Sequence, residues 1–252
     1  MFNRLEDKMT VLLTSQMKYL GGKHRIGKPI SEVMLSLTSQ CHVNRYVEPF
    51  VGSLGVMKHM VAHNECCIGN DLNKDVIALW RALQTDSLQL PESLTREEYK
   101  QWKSTADIAS EGLGERAAIG FGLSFGGKYF AGFASGAGRD FMGELKRSLI
   151  KLAPVARSCE FTCGDYRDVV YAKNDIIYCD IPYQLTTGWT SFNHEKFWAW
   201  AEKMSAEHYV FVSSEFAPDH WISVWERNVS RSVAKISERR GATEKLFIYD
   251  PK

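Results

Sequence analysis

Apolar and polar positions along this chain follow two alternating rhythms. Short runs of apolar and β-branched residues, bounded by Gly, Pro or Asp, predict buried strands, and apolar residues recurring three and four apart predict helices. The strand-like runs are 45–48, 66–69, 160–162, 175–179 and 208–213. Two late segments, roughly 228–236 and 245–249, suit a closing hairpin. Helical spacing runs from Pro29 to about Gln40, with Ile30, Val33, Met34 and Leu37 on one face. It returns from Gly55 to about Asn64, from Asn73 to about Leu83 and from Glu195 to Met204. Segment 84–157 has no convincing strand and predicts helices near 95–106, 113–123 and 139–156. Strand, glycine turn, helix, strand and acid, in that order, form one nucleotide-binding half of a doubly wound α/β sheet.

Composition narrows the picture only a little. The chain has 252 residues, 44% hydrophobic and 24% charged, enough for one large α/β domain or one carrying a smaller insertion. No apolar run approaches the ~20 residues that span a bilayer. Residues 1–16 mix charges into a short apolar run, read as an extension without a signal-peptide core. The six cysteines show no CxxC and no zinc-finger spacing, so reduced thiols in a cytoplasmic protein are expected. Net charge is +1, and a nucleic-acid partner would therefore need local cation clusters. Such clusters exist at Lys18 to Lys28, at Lys146 to Arg157 and at Arg227 to Arg240, although a solvated helix face explains any one equally well.

The candidate chemistry gathers at strand ends. The 175–179 run stops at Asp180-Ile181-Pro182-Tyr183, an acid and a ring where open α/β sheets place their ligands. Pro182 has a fixed φ and no N–H, so the strand cannot continue through it. Glu48 precedes a glycine turn, Pro49 to Gly55, whose backbone admits close approach of a ligand. Asp71 ends the next strand, where it suits either ribose hydroxyls or a helix N-cap, with Asn70 and Asn73 competing for the cap. Gly22 to Lys28 superficially fits a P-loop, but Pro29 stands at the magnesium-binding hydroxyl position and no strand precedes it. His59 and His63 share a helix face without a third ligand, so no metal site is expected. The loop 125–138 holds five glycines and four aromatics, which reads as a functional surface loop.

Taken together, KYLGGK, YVEPFVGSLG, NDLNKDV, CGDYRDV and DIPY resemble the ordered motifs of Dam-like N6-adenine DNA methyltransferases, many of them phage-encoded. The resemblance implies a seven-stranded, Rossmann-like class I methyltransferase sheet from residues 17–83 and 158–252, with 84–157 as a helical target-recognition insertion. It implies S-adenosylmethionine as cofactor, double-stranded DNA as partner, no metal, no membrane, and a bacterial or phage-infected cytoplasm. By position, Tyr19, Gly21 and Lys23 would meet the cofactor, Glu48, Phe50, Gly52 and Ser53 would form the turn beneath it, and Asp71 would hold its ribose. Asp165 and Tyr166 would meet its adenine.

In such enzymes the Asp carboxylate and the next carbonyl, here Asp180 and Ile181, accept the two amino hydrogens of a flipped adenine, and the tyrosine, here Tyr183, stacks on the base. Ile181 stands where the family usually has a first proline. Lys128, Tyr129 and Arg139, interleaved with Phe130 and Phe133, have the composition of groups that grip phosphates and stack on bases, as do Arg239 and Arg240 for phosphates. A catalytically silent DNA-binding protein of the same fold, or a methyltransferase acting on cytosine N4 or RNA, are the open alternatives. Nothing in the sequence specifies an oligomeric state.

Overall fold

The parallel strands lie where the apolar runs predict them, and their order sets the architecture. The computed structural model describes residues 17–105, 109, 112–136, 138–183, 192–229 and 242–249. These contain β1 (Tyr46–Glu48), β2 (Cys67–Asp71), β3 (Cys159–Cys163), β4 (Ile176–Asp180), β5 (Tyr209–Ser214), β6 (Trp221–Val229) and β7 (Ala242–Tyr249). They form one sheet in the order β3-β2-β1-β4-β5-β7-β6. β1 to β5 pair in parallel, and β7 runs antiparallel between β5 and β6. This is the seven-stranded, Rossmann-like α/β sheet that the resemblance implies. β2 and β3 lie to one side of β1, β4 and β5 to the other, so the winding reverses between β1 and β4. The carboxyl ends of the parallel strands, including Glu48, Asp71 and Asp180, share one edge there.

The helices are α1 (Gly27–Leu37), α2 (Met57–Met60), α3 (Lys74–Gln84), α4 (Arg96–Ser104), α5 (Leu113–Gly122), α6 (Phe141–Arg157) and α7 (His194–Ser205). Their starts are chemically marked: Asn73, Asp140 and Asn193 cap α3, α6 and α7, and Thr95 with Glu98 forms a capping box on α4. α5 and α6 pack on α3. Ala117, Ile119, Leu145 and Leu149 thereby join Leu79 and Trp80 in the cluster that also holds Tyr46, Cys67 and Tyr178 of the sheet. Segment 84–157 shares the sheet's core.

Three local expectations give way to packing. The helix expected over 55–64 is α-helical only at Met57–Met60, because His59 and His63 donate to carbonyls three residues back, Val56 and Met60, and tighten both ends. The hairpin's first strand is β6, which starts several residues before the expected 228. A register shift between Ser223 and Trp225 breaks its two-residue alternation, so the apolar pattern misplaces it. The 125–138 loop turns its rings inward: Phe130 is buried, and Tyr129 stacks on Phe121 at 4.4 Å between ring centroids. Gly120 on α5 leaves the room those two rings fill. Phe125 alone among the loop's aromatics is largely exposed, at 73%.

The first turn of α1 lies against the glycine turn after β1. A Cβ on Gly27 would collide with the carbonyl oxygen of Gly55. Helix propensity alone would make Gly27→Ala favourable by about 1 kcal/mol. We expect the collision to win and the variant to lose about 1–3 kcal/mol, read by urea unfolding.

Candidate active site

The chain's early turn and its fourth strand meet at one buried ammonium. Lys23 is 5% exposed, and its Nζ donates to Asp180 Oδ1 at 2.6 Å, to Tyr183 Oη at 3.0 Å and to the carbonyl of Gly21 at 3.2 Å. Glu244 of β7 places Oε1 3.7 Å from the same nitrogen, and its Oε2 accepts the Tyr183 hydroxyl. Burial alone would lower the Lys23 pKa, but Asp180, Tyr183 and Glu244 outweigh it and hold the ammonium well above the usual lysine range. For Asp180, burial pushes the pKa up to about 6, with Lys23 opposing and Glu244 reinforcing. Asp180 is therefore mostly a carboxylate at pH 7.

The turn after β1 is pinned from three sides. Val51 N–H donates to the carbonyl of Asn70 at 2.8 Å, Gly52 N–H to Asp71 Oδ2 at 3.0 Å, and Trp80 Nε1 to the Gly52 carbonyl at 2.9 Å. Asn70 spans the strand ends: its Nδ2 donates to the carbonyls of Pro49 (3.1 Å) and Gly164 (2.9 Å), and its Oδ1 accepts from Thr162. Asn73 is the cap of α3, while Asp71 Oδ1 accepts the Asn73 N–H at 2.9 Å. Burial pushes Asp71 to about 6, against the pull of those two backbone donors. Glu48 is buried and accepts the Tyr46 hydroxyl at 2.6 Å. Desolvation drives its pKa well above the usual carboxylate range, with Asp180 adding to the shift and the Tyr46 hydroxyl opposing it.

The other sequence-predicted residues fall around this edge. Tyr19 lies against Gly52 and stacks on Phe121 at 4.6 Å, and Ser53 sits against Gly22. Phe50 meets Tyr166 at 5.4 Å, within a ring cluster that includes Phe192, Phe197 and Trp200. Asp165 is half-buried and pairs with Arg167 through both oxygens, which lowers its pKa. Ile181 is buried beside Ile177, Cys179, Phe197 and Val212. Beside Gly21 and Gly164 the space is open.

Among the candidate DNA contacts, Lys128 is exposed. Arg139 is exposed too, paired with Glu144 at 2.7 and 2.9 Å. Tyr129 is placed differently from a base-stacking ring: its hydroxyl donates to Asp75 and its ring is held by Phe121 and Phe130. Arg239 and Arg240 lie outside the described residues.

Two residues essential to this geometry, Trp80 and Glu244, lie outside every motif, and Asn70, a rival for the α3 cap in the sequence, instead ties the strand ends together. The signal for Glu244 is its register, since two-residue alternation puts it on the face of Leu246, which is fully buried.

The model of one family, the D12 class N6 adenine-specific DNA methyltransferases, matches residues 19–111. Over that stretch the chain is similar to the D12 class. The match takes in the Lys23 turn, Glu48 and Asp71. No curated protein matches the chain. Among solved structures, a protein described as a methylase from Haemophilus influenzae is 9% identical, with a TM-score of 0.38, over 92% of this chain and 98% of its own. One described as an RNA methyltransferase from Pyrococcus horikoshii is 9% identical, with a TM-score of 0.40, over 87% and 81%. A third, described as a methyltransferase complexed with SAH, is 8% identical, with a TM-score of 0.30, over 88% and 52%. Among the described residues no three His, Cys, Asp or Glu side chains are grouped to hold a metal ion, and no helix is long and apolar enough to cross a membrane.

Lys23 joins the Asp180 and Glu244 carboxylates, at 2.6 and 3.7 Å. Removing one partner of such a pair leaves an uncompensated buried charge. Lys23→Met should lower stability by about 3–5 kcal/mol, measured by urea unfolding at pH 7.

Proposed function

We propose that this protein is a D12-class enzyme that transfers a methyl group from S-adenosylmethionine to the N6 amino group of an adenine turned out of double-stranded DNA. The observation that carries the reading is Asp180 at the carboxyl end of β4, beside the reversal of winding, joined by Lys23 to the turn that the family model matches. The edge suits the cofactor in chemistry as well as place. Gly21 and Gly164 border open space, and Asp71 keeps lone pairs for hydroxyl donors beyond the two N–H groups it accepts. When bound there, S-adenosylmethionine would supply an electrophilic methyl group on a sulfonium.

The protein's own groups then act on the base. The adenine amino nitrogen is a poor nucleophile, its lone pair being delocalised into the ring. Lys23 takes Oδ1 of Asp180, so Oδ2 is the oxygen that accepts one amino hydrogen. The Ile181 carbonyl accepts the other, which aims the nitrogen's lone pair and fixes the reacting geometry. As the nitrogen bonds the methyl carbon, the carbon–sulfur bond would break and positive charge would grow on the nitrogen; the Asp180 carboxylate stabilises that charge, and the surplus amino proton would leave by way of Asp180. Tyr183 supplies the ring that packs on the base. Lys128 and Arg139, both exposed and the latter paired with Glu144, would meet phosphates, which fix register without reading sequence.

Incubation with labelled S-adenosylmethionine and unmethylated duplex DNA, followed by digestion to nucleosides, should yield N6-methyladenine. Label in N4-methylcytosine, or in RNA alone, would move the substrate; cofactor binding with no transfer to any nucleic acid would make the protein a silent DNA-binding relative. Asp180→Ala should abolish transfer while cofactor binding stays largely intact. The carboxylate form of Asp180 is required, and its pKa stands at about 6. The single-turnover rate should therefore be full at pH 7.5 and fall as pH drops through about 6.

A further inference from the structure

The Lys23 ammonium poses a problem for the reaction just described, and β7 carries a group that answers it. A cation 2.6 Å from the Asp180 carboxylate cancels much of the charge that a nitrogen turning positive would need. With those two groups alone the pocket would be a neutral ion pair. Glu244 makes it anionic. Its side chain is 4% exposed, and Oε1 has no hydrogen-bond donor although it is buried. A carboxylate oxygen left so is costly, and the neighbouring β7 residues Leu246 and Phe247 show that this strand's inner faces are otherwise apolar. A glutamine would fill the same volume at less cost to the fold. The acid is placed where it lies 3.7 Å from Lys23 and holds the Tyr183 hydroxyl, which in turn accepts from Lys23.

We propose that Glu244 is a positioning residue of the methyl-transfer site: it offsets Lys23 so that Asp180 meets the amino group as an effective anion, and it fixes the Tyr183 ring. This rests on the reading of the site given above. The groups that face Asp180 are Lys23 and Tyr19 from the early turn, Glu48 from β1, Glu244 from β7, and Tyr178, Cys179 and Tyr183 from its own segment. Among them Glu244 is the charged neighbour that raises Asp180, opposing Lys23. Its loss leaves Lys23 unopposed.

The test is Glu244→Gln in the full chain, which keeps shape and an acceptor for Tyr183 while removing the charge. We expect the single-turnover rate to fall about ten- to a hundredfold with cofactor and DNA dissociation constants changed less than about threefold. The acid limb of the pH–rate profile should move to lower pH. Glu244→Asp, which keeps the charge, should recover most of the rate. A variant that loses thermal stability but keeps rate and acid limb would overturn the proposal, since that is what a packing role predicts.

A carbon-13 titration of the Asp180 carboxyl reads the same effect without turnover. Its midpoint should drop in Glu244→Gln, and an unchanged midpoint overturns the proposal whatever the activity. Absence of adenine methylation by the unaltered protein, with the midpoint shift present, would instead remove the functional reading alone.

Discussion

A lysine ammonium buried among carboxylates holds the site together. Lys23 stands in a turn near the start of the chain, Asp180 closes β4 and Glu244 comes from β7, so one nitrogen ties three distant segments. Taking a lysine out of water is unfavourable unless its charge and all three hydrogens are met. Here they are met by Asp180, Tyr183 and the Gly21 carbonyl. The early turn cannot leave the strand edge without exposing two acids to each other. That constraint explains why the Lys23 turn, rather than the β1 loop alone, defines one wall of the crevice.

The same edge sorts its acids by environment. Burial drives the pKa of Glu48, fully enclosed in β1, well above the usual carboxylate range, while burial raises Asp180 only to about 6 because Lys23 opposes it. Asp71 accepts one backbone N–H on each oxygen and so fixes the turn after β1. Three acids at comparable places in the chain thus stand as an enclosed partner of Tyr46, an ion-pair partner of Lys23 and a clamp on the glycine turn. Their charge states follow from what surrounds them, and a strand-end position alone does not decide between them.

Much of this is legible before any coordinates. β1, β2, β3, β4 and β5 announce themselves because buried parallel strands read as short apolar runs, and the acids at their ends mark the shared edge. Composition cannot say which way a glycine-rich loop faces, and the space left by Gly120 turns the rings of Tyr129 and Phe130 inward. β6 hides behind a register shift. Glu244 hides for a different reason: its meaning lies in a contact 221 positions away along the chain (244 against 23), and no local window contains both ends. Asn70 and Trp80 are of the same kind, polar groups whose partners are backbone atoms of another loop.

Ile181 brings these strands of reasoning to one atom. A proline there would restrict φ and fix the carbonyl by its ring. The isoleucine is 2% exposed among Ile177, Cys179, Phe197 and Val212, and burying such a side chain is worth roughly 1.5–3 kcal/mol. Rotating its backbone would pull that side chain out of a close-packed cluster. Packing can therefore hold the carbonyl in place where the ring would have done so, and it does it from the α7 face of the sheet, opposite the Lys23 network. The residue that departs from the family's usual motif anchors one wall of the site, and Lys23 anchors the other, so the Asp180–Tyr183 segment is held from both sides.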